Sequence, residues 1–355
     1  MSIEGLECVH AARGAHLVEW CGARVPGHYG DWRAEYRAVR ENAGLIDLTW
    51  YGVLELTGPD RVVFLNGMVS NEVRNLGATG GCHASLLTVH GKVVADVVAL
   101  GLEERILLLV ARGLTGTVAE NLNKYLVADE VEIADRSAEL GLLGASGPNA
   151  GDLLAGQGWP VPSALWHHAA VPELPLRLVR MNLTGEPSWG ILGERSLLPE
   201  IWETIIVAGA LPVGVEALNV LRIEAGIPWH GVDATEDDFP LETRLEDTIS
   251  TTKGCYLGQE TIIRIFRRGH VNRRMVGLVL EGRNVPPHGC EVLKDGQAVG
   301  KVTSAAWSPA RERVIALAVV RVRAAESGAT LQVALPDGLM NAVVTDLPFV
   351  GKPAS

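Results

Sequence analysis

The segment Lys253–Arg274 reads K-G-C-Y-L-G-Q-E-T-I-I-R-I-F-R-R-G-H-V-N-R-R. Gly258 follows its cysteine, Cys255, and the apolar residues after Gly258 recur at helical spacing. The pattern predicts a helix that starts here, so Cys255 lies at or just before the helix N-terminus. The partial positive charge of that end and the ammonium of Lys253 both favour a thiolate. The segment therefore predicts a reactive cysteine.

Basic side chains dominate the second half of this segment. The chain as a whole carries a net charge of -11, so the local reversal of charge predicts an anion site beside the cysteine. Two plainer interpretations stay open, because a single cysteine is often a small buried apolar residue and an arginine-rich run is often only surface. The five arginines, within eleven residues, are Arg264, Arg267, Arg268, Arg273 and Arg274.

Length and composition indicate a globular protein with more than one lobe. The chain has 355 residues, of which 47% are hydrophobic and 21% charged, and this length exceeds one ordinary core, so two or three lobes are expected. The acidic balance, with a pI near 5.4, argues against broad binding to nucleic acid or to a membrane surface.

The cysteines and the first residues bear on the compartment. Five scattered cysteines without a C-x-x-C pair indicate a reducing environment and no zinc ribbon. The opening residues lack a signal-peptide pattern, and no apolar run is long enough to cross a membrane. We expect a cytoplasmic protein. The neighbouring His167 and His168 face apart, so they do not predict a metal site.

One carboxylate stands out in the first half of the chain. Asp96 lies within the apolar strand predicted at Val93–Leu100, which forms a hairpin with Ala84–Thr88. A buried, unpaired carboxylate costs several kcal/mol, about 2–7 even for a neutral polar group. Asp96 should therefore have a partner or line a cavity. The alternative, an outward-pointing side chain on a half-exposed strand, stays open.

The residue pattern changes in the last part of the chain. After Arg274, short strand patterns alternate with glycine, proline and asparagine turns, which is typical of a small antiparallel barrel. Helices and strands are mixed in the part before it. We expect an α+β protein with a first region at residues 1–270 and a C-terminal β-barrel at residues 271–355.

The signature K-G-C-Y-L-G-Q-E, from Lys253 to Glu260, resembles that of the YgfZ family. These are folate-binding proteins related to the glycine cleavage T-protein aminomethyltransferases. The stretches R-I-E-A-G-I-P-W-H-G-V-D, T-G-E-P-S-W-G-I and L-L-T-V-H-G-K-V-V-A-D-V-V resemble patterns of the same group. The resemblance spans roughly Tyr29 to Phe349. It implies a three-lobed ring in which two intertwined α+β lobes and a C-terminal antiparallel barrel enclose a central channel.

The resemblance also assigns roles to individual residues. Asp96 matches the aspartate that faces the reactive nitrogen of tetrahydrofolate in the transferases, whereas the aspartate before it is Ala95 here. A family glutamate that pairs with one edge of the pterin falls on Gly190, which counts against the transferase reaction. Arg222 is expected to contact the glutamate carboxylates of folate, or alternatively to pair with Glu224 or another acid. The expected folate-binding residues are Arg222, Glu186, Lys253, Tyr256, Gln259 and Arg267.

Three functions follow from these expectations. The first is a tetrahydrofolate-binding, YgfZ-like accessory protein in iron–sulfur cluster assembly or repair, including that of tRNA-modifying enzymes. It would work through Cys255 with iron–sulfur client or assembly proteins as partners, since one cysteine does not supply four cluster ligands. The alternative is a tetrahydrofolate-dependent aminomethyl- or methyltransferase that uses Asp96. The third is a folate-binding interaction module without chemistry.

Overall fold

The computed structural model describes residues 5–269 and 271–351, apart from the side chain of Arg268. The helices are α1 (Leu6–Ala12), α2 (Trp32–Glu41), α3 (Arg61–Met68), α4 (Thr115–Asn123), α5 (Ala150–Ala155), α6 (Leu198–Val207), α7 (Val215–Glu224) and α8 (Gln259–Arg268). The strands are β1 (His16–Trp20), β2 (Ala23–His28), β3 (Gly44–Asp47), β4 (Tyr51–Thr57), β5 (Gly81–Leu87), β6 (Val93–Gly101), β7 (Ile106–Ala111), β8 (Glu132–Asp135), β9 (Leu140–Ser146), β10 (His168–Ala170), β11 (Leu176–Met181), β12 (Ser188–Glu194), β13 (Leu211–Val213), β14 (Arg273–Leu280), β15 (Glu291–Lys294), β16 (Gln297–Ser308), β17 (Arg313–Arg321), β18 (Thr330–Leu335) and β19 (Gly338–Thr345).

The first lobe is a five-stranded antiparallel sheet in the order β5-β6-β7-β4-β8. The predicted hairpin between β5 and β6 is present. Its turn is closed by a hydrogen bond from the amide of Thr88 to the carbonyl of Lys92, 2.8 Å long, and Gly91 supplies the positive φ of 78°. Apolar residues of α3 and α4, such as Leu65 and Val118, pack against one face of this sheet.

The second lobe is a six-stranded sheet in the order β10-β11-β12-β9-β3-β13, antiparallel except for the β3–β13 pair. Strand β3 of this second sheet comes before all strands of the first lobe in the sequence. The chain therefore forms β3, then the first lobe, and then the remaining strands of the second lobe. Helix α2 begins after Asp31, and the Asp31 side chain caps it by accepting a hydrogen bond from the amide of Arg33 at 3.0 Å.

Strands β14 to β19 form a closed barrel in the order β14-β17-β16-β15-β18-β19. Small and branched residues such as Leu278, Ala316 and Val333 fill its interior. The predicted α+β class is therefore confirmed, with two mixed lobes and a six-stranded antiparallel barrel. Within residues 5–269 and 271–351, the structure has no helix with the length and apolar character that a membrane span requires.

Helix α7 joins the second lobe to the barrel through buried charges. Its Glu224 accepts a hydrogen bond from the Tyr36 hydroxyl at 2.8 Å and is also bound by Ser308 of the barrel. The backbone carbonyl of Glu224 accepts the amide of Phe349 at 2.7 Å, so the segment after the barrel returns to the same helix. These contacts fix the position of the segment around Phe349 beside the second lobe.

Candidate functional site

A cavity of about 540 Å³ lies where the two lobes and the segment after the barrel meet. Asp96 of β6 and His83 of β5 come from the first lobe, Met181 from the second, and Pro348 from the segment after the barrel. This volume is within the range of small-molecule sites, roughly 300–1,000 Å³. A larger depression of about 900 Å³ on α1 and α6 is lined by none of the predicted site residues, all of which are described.

Aromatic rings form much of the cavity wall. Trp50, Tyr51, Trp166 and Trp229 all line it. The Trp50 and Tyr51 rings stack with centroids 4.3 Å apart, and Trp229 stands against Trp50 at 5.7 Å and 65°. The indole nitrogen of Trp50 and both ring nitrogens of His230 are buried and have no hydrogen-bond partner among the described residues. The wall therefore offers aromatic side chains to a flat ring.

Three charged side chains form a chain at one side of this cavity. His83 Nε2 lies 3.2 Å from Asp96 Oδ2, and His83 Nδ1 lies 2.9 Å from Asp247 Oδ2. The Asn71 side chain donates to the backbone carbonyls of both His83 and Asp247, at 2.8 and 3.0 Å. The expectation that Asp96 has a partner and lines a cavity is confirmed, and the outward-pointing alternative is wrong.

Burial and pairing act in opposite directions on these groups. Burial disfavours a charged His83, but its two carboxylate partners outweigh burial and raise its pKa to about 10. Burial likewise acts to raise the pKa of Asp96, but the hydrogen bond to His83 and the nearby positive charge together outweigh burial, so the pKa is lowered. The Asp96 side chain is 30% exposed while lining the cavity. Burial raises the pKa of Tyr51, with Asp96 adding to the effect, so its phenol stays neutral.

The signature segment lies outside the cavity wall. Helix α8 begins at Gln259 as predicted, after Gly258 with a φ of 81°, and Cys255 is exposed, so the buried-residue alternative is wrong. The Lys253 ammonium donates to three backbone carbonyls, those of Asn66, Val69 and Asn71. Because an ammonium has three donors, Lys253 has none left for the cysteine. Lys253 is thus tied to the end of α3, and its predicted effect on the Cys255 thiolate stays a prediction.

The signature glycine and tyrosine have packing roles. A Cβ on Gly258 would lie 2.5 Å from the carbonyl oxygen of Thr88, so only glycine fits against the β5–β6 turn. Tyr256 is buried in a cluster with Leu87 and Ile262. Half of the signature thus docks the segment on the first lobe, and Tyr256 does not line the cavity.

The remaining predicted folate ligands also lie elsewhere. Arg222 is fully buried, pairs with Asp233 and donates to Ser304 Oγ at 2.6 Å. The structure thus shows the ion-pair alternative for Arg222, with Asp233 in place of Glu224. Glu186 accepts a hydrogen bond from Arg40 at 2.7 Å.

Two further predicted ligands, Gln259 and Arg267, are on α8. Gln259 donates to the carbonyl of Gly254 at 3.3 Å, and Arg267 is exposed. Neither belongs to the cavity wall, so the cavity contains only Asp96 from the predicted set, whose members are all described.

The position of the missing family glutamate is filled by apolar side chains. A Cβ on Gly190 would lie 2.7 Å from Met181 Sδ and 2.9 Å from Leu142 Cδ1. Met181 also lines the cavity. The space that a side chain would need at Gly190 is therefore occupied, and the cavity presents a thioether there instead of a carboxylate.

Sequence reasoning missed His83 and Asp247. His83 pairs with Val98 and Ser85 with Asp96 across the β5–β6 hairpin, so His83 and Asp96 are diagonal neighbours on one face. The register of the predicted hairpin was therefore a usable signal for His83. Asp247 gives no such signal, since it comes from the short 3-10 helix Glu246–Thr248, far along the chain.

Two mixed lobes, a closed barrel and an aromatic cavity with a chain of charged side chains at one side form an architecture suited to a small organic ligand. The chain matches the GCVT N-terminal domain over residues 6–253 and the glycine cleavage T-protein C-terminal barrel domain over residues 273–351. The chain therefore belongs to the glycine cleavage T-protein family.

Relatives of known name match along nearly the whole chain. The aminomethyltransferase of Symbiobacterium thermophilum is 32% identical over 361 residues, covering 97% of this chain and 96% of the relative. That of Thermus thermophilus is 33% identical over 353 residues, covering 96% and 97%. The crystal structure of the glycine cleavage system aminomethyltransferase T from Bartonella henselae has the same fold, with a TM-score of 0.90, 24% identity and 97% of each chain covered.

Proposed function

We propose that this protein is a tetrahydrofolate-dependent aminomethyl- or methyltransferase whose chemistry is centred on Asp96. Tetrahydrofolate is the cofactor of the glycine cleavage T-protein family. Relatives named aminomethyltransferase favour this hypothesis over the YgfZ-like accessory role. One observation carries the proposal: Asp96 lies in the cavity wall in contact with His83, whereas Cys255 is on the surface outside that wall.

The cavity residues fit tetrahydrofolate. The aromatic side chains in the wall, such as Trp229 and Trp166, suit packing against a pterin. Arg244 also lines the cavity, and a guanidinium there suits the carboxylates of a folate tail. Because Gly190 has no carboxylate and Met181 occupies the adjacent space, the hydrogen-bond donors of the pterin need another acceptor. The Glu246 carboxylate in the cavity wall is available for this role.

The chemistry of this chain follows from the charge states around Asp96. When bound, tetrahydrofolate supplies the nitrogen that accepts the one-carbon unit. The lowered pKa keeps Asp96 ionised, so it accepts a hydrogen bond and stabilises positive charge that develops on a nearby nitrogen. A carboxylate with a low pKa is a weak base, so electrostatic stabilisation is its main role. The neutral Tyr51 offers a hydrogen-bond donor in the same wall.

Asp96→Asn tests this proposal. The amide keeps the shape of the side chain but removes its charge, so we expect kcat for transfer of a one-carbon unit to tetrahydrofolate to fall by about 10²–10³-fold. Tetrahydrofolate affinity, measured by calorimetry, should change by only a few-fold. Cys255→Ser is the matched control and should keep full activity. Near-normal turnover by Asp96→Asn, or loss of turnover in Cys255→Ser, would contradict the proposal.

The accessory role in iron–sulfur cluster assembly is a second candidate, because Cys255 is exposed in the segment that precedes the arginine-bearing helix α8. It predicts that Cys255→Ser, and not Asp96→Asn, fails to restore iron–sulfur enzyme activity in cells that lack this protein. The opposite result would exclude it. The cytoplasmic location and the division of the chain at residue 270 stay predictions.

A further inference from the structure

His83 stands between two carboxylates that belong to different parts of the chain. Asp96 is on the neighbouring strand of the first lobe, and Asp247 is in the 3-10 helix that follows α7. The contacts at 3.2 and 2.9 Å use both ring nitrogens. Ionised carboxylates only accept hydrogen bonds, and a neutral imidazole has one N–H, so it can satisfy only one of them. An imidazolium satisfies both.

The other groups around His83 do not reverse this preference. The Trp166 ring lies 5.2 Å from the imidazole and carries no charge. The further titratable or charged groups in the cavity wall are the neutral Cys21 and Tyr51, the acid Glu246, the guanidinium of Arg244 and the imidazole of His230. None of these forms a hydrogen bond with His83 among the described residues, so the direct contacts dominate. The pKa of His83, raised to about 10, agrees with the geometry.

We propose that His83 is a positioning residue for the transfer reaction, an imidazolium that clamps Asp96 of the first lobe to Asp247 of the segment after α7. This inference rests on the proposed function of Asp96. The imidazolium engages Asp96 Oδ2, which fixes the plane of the carboxylate and leaves Oδ1 as the acceptor for a ligand. The clamp also favours the ionised form of Asp96, because it places a positive charge and a hydrogen-bond donor against this partly exposed carboxylate.

The clamp can be removed without undoing the surrounding fold. The 3-10 helix that carries Asp247 is held independently, because Ser70 Oγ donates to the carbonyl of Thr248 at 2.6 Å and Ser85 Oγ lies 2.7 Å from Thr248 Oγ1. The His83 side chain is only 13% exposed. His83→Gln is therefore expected to keep the fold. It replaces the imidazolium, which donates to both carboxylates, with a neutral amide that has a single NH2 group.

The protonation state is measured directly, without any ligand, by nitrogen-15 NMR of the histidine rings in the full-length protein. The His83 signal is assigned as the one lost in His83→Gln. We expect both ring nitrogens to be protonated at pH 7.5, with a titration midpoint above about 9. Asp247→Asn should lower that midpoint by at least about one pH unit. A ring with a single protonated nitrogen at pH 7.5 overturns the inference.

Kinetics give a second, separate measurement. His83→Gln should lower kcat by about 10–100-fold, since a misplaced or protonated carboxylate loses part of its electrostatic effect, with a smaller change in KM for tetrahydrofolate. In the pH–kcat profile of His83→Gln, the acidic limb should shift upward by about one pH unit, because Asp96 no longer has the His83 imidazolium beside it. Wild-type kcat and an unshifted limb would overturn the inference. An imidazolium in the wild type together with an active Asp96→Asn variant would instead refute the proposed function and leave the ion chain as observed.

Discussion

Replacing Lys253 by methionine tests what the signature segment does in the fold. Lys253 is 8% exposed, and its ammonium donates to the carbonyls of Asn66 and Val69 at 2.8 Å and of Asn71 at 2.5 Å. These carbonyls lie in and after the last turn of α3, where helix carbonyls lack intrahelical partners and the helix end is negative. Lys253 therefore closes the end of α3 from a distant part of the chain.

The expected loss of stability follows from two opposing contributions. A hydrogen bond from a charged donor contributes about 2 kcal/mol, so the three contribute about 6 kcal/mol. Burial acts against the charge and lowers the pKa of Lys253 from 10.5 to about 8, a difference worth about 3 kcal/mol. Methionine removes both contributions and keeps most of the aliphatic chain. We expect Lys253→Met to lower the free energy of unfolding by about 3 kcal/mol.

The assay is urea unfolding at pH 7, followed by tryptophan fluorescence, with hydrogen exchange of the amides after α3 as a local measure. The matched control is Lys92→Met, because Lys92 makes one hydrogen bond at the surface, to the carbonyl of Asp237 at 2.8 Å, and lies over the Phe239 ring. The control should lose no more than about 1 kcal/mol. A loss below about 1 kcal/mol in Lys253→Met would refute the assignment of Lys253 to the end of α3.

Three further predictions concern packing, pairing and pH. Gly190→Ala should lower the free energy of unfolding by about 1–3 kcal/mol in thermal denaturation, and the same change should cost less in a Met181→Ala background, where the crowding atom is absent; an unchanged midpoint would show that the space is open. Arg222→Met should cost about 3–5 kcal/mol, because it leaves the Asp233 carboxylate buried without its cation, while tetrahydrofolate affinity of the folded protein stays within about two-fold; tenfold weaker binding would return Arg222 to the ligand site. Since the pKa of His83 is raised from 6.5 to about 10, its stabilisation is complete below pH 6.5 and is lost as the pH rises through 10. Urea unfolding should therefore show a steeper loss of stability from pH 7 to 10 in the wild type than in His83→Gln, and equal slopes would contradict the raised pKa.

Local pattern alone determined most elements of secondary structure. The six barrel strands, the β5–β6 hairpin and the start of α8 after Gly258 were all predicted, because apolar periodicity, turn residues and glycine positions act within a few residues along the chain. The Asp31 cap of α2 belongs to the same group. The family resemblance added the arrangement of these elements, which periodicity does not contain.

The identity of charge partners was beyond the sequence. Lys253 looked like a neighbour of Cys255, yet its donors reach Asn66, 187 positions away. Arg222 looked like a ligand for an anion, yet Asp233 from the loop after α7 neutralises it inside the protein. Both residues have side chains long enough to serve either role, so the choice depends on what the fold brings within hydrogen-bond distance.

The candidate site also has features that the sequence determined and features that only the tertiary structure decided. The sequence determined that Asp96 is a carboxylate in an apolar strand that needs a partner, since burial of an unpaired charge is unfavourable whatever the fold. The register of the β5–β6 hairpin makes His83 a candidate partner, whereas only the tertiary structure decided that His83 is in turn held by Asp247, 164 positions away. A pKa depends on burial and on charges within a few ångströms, and these distances exist only after the two lobes and the connecting segment have packed together.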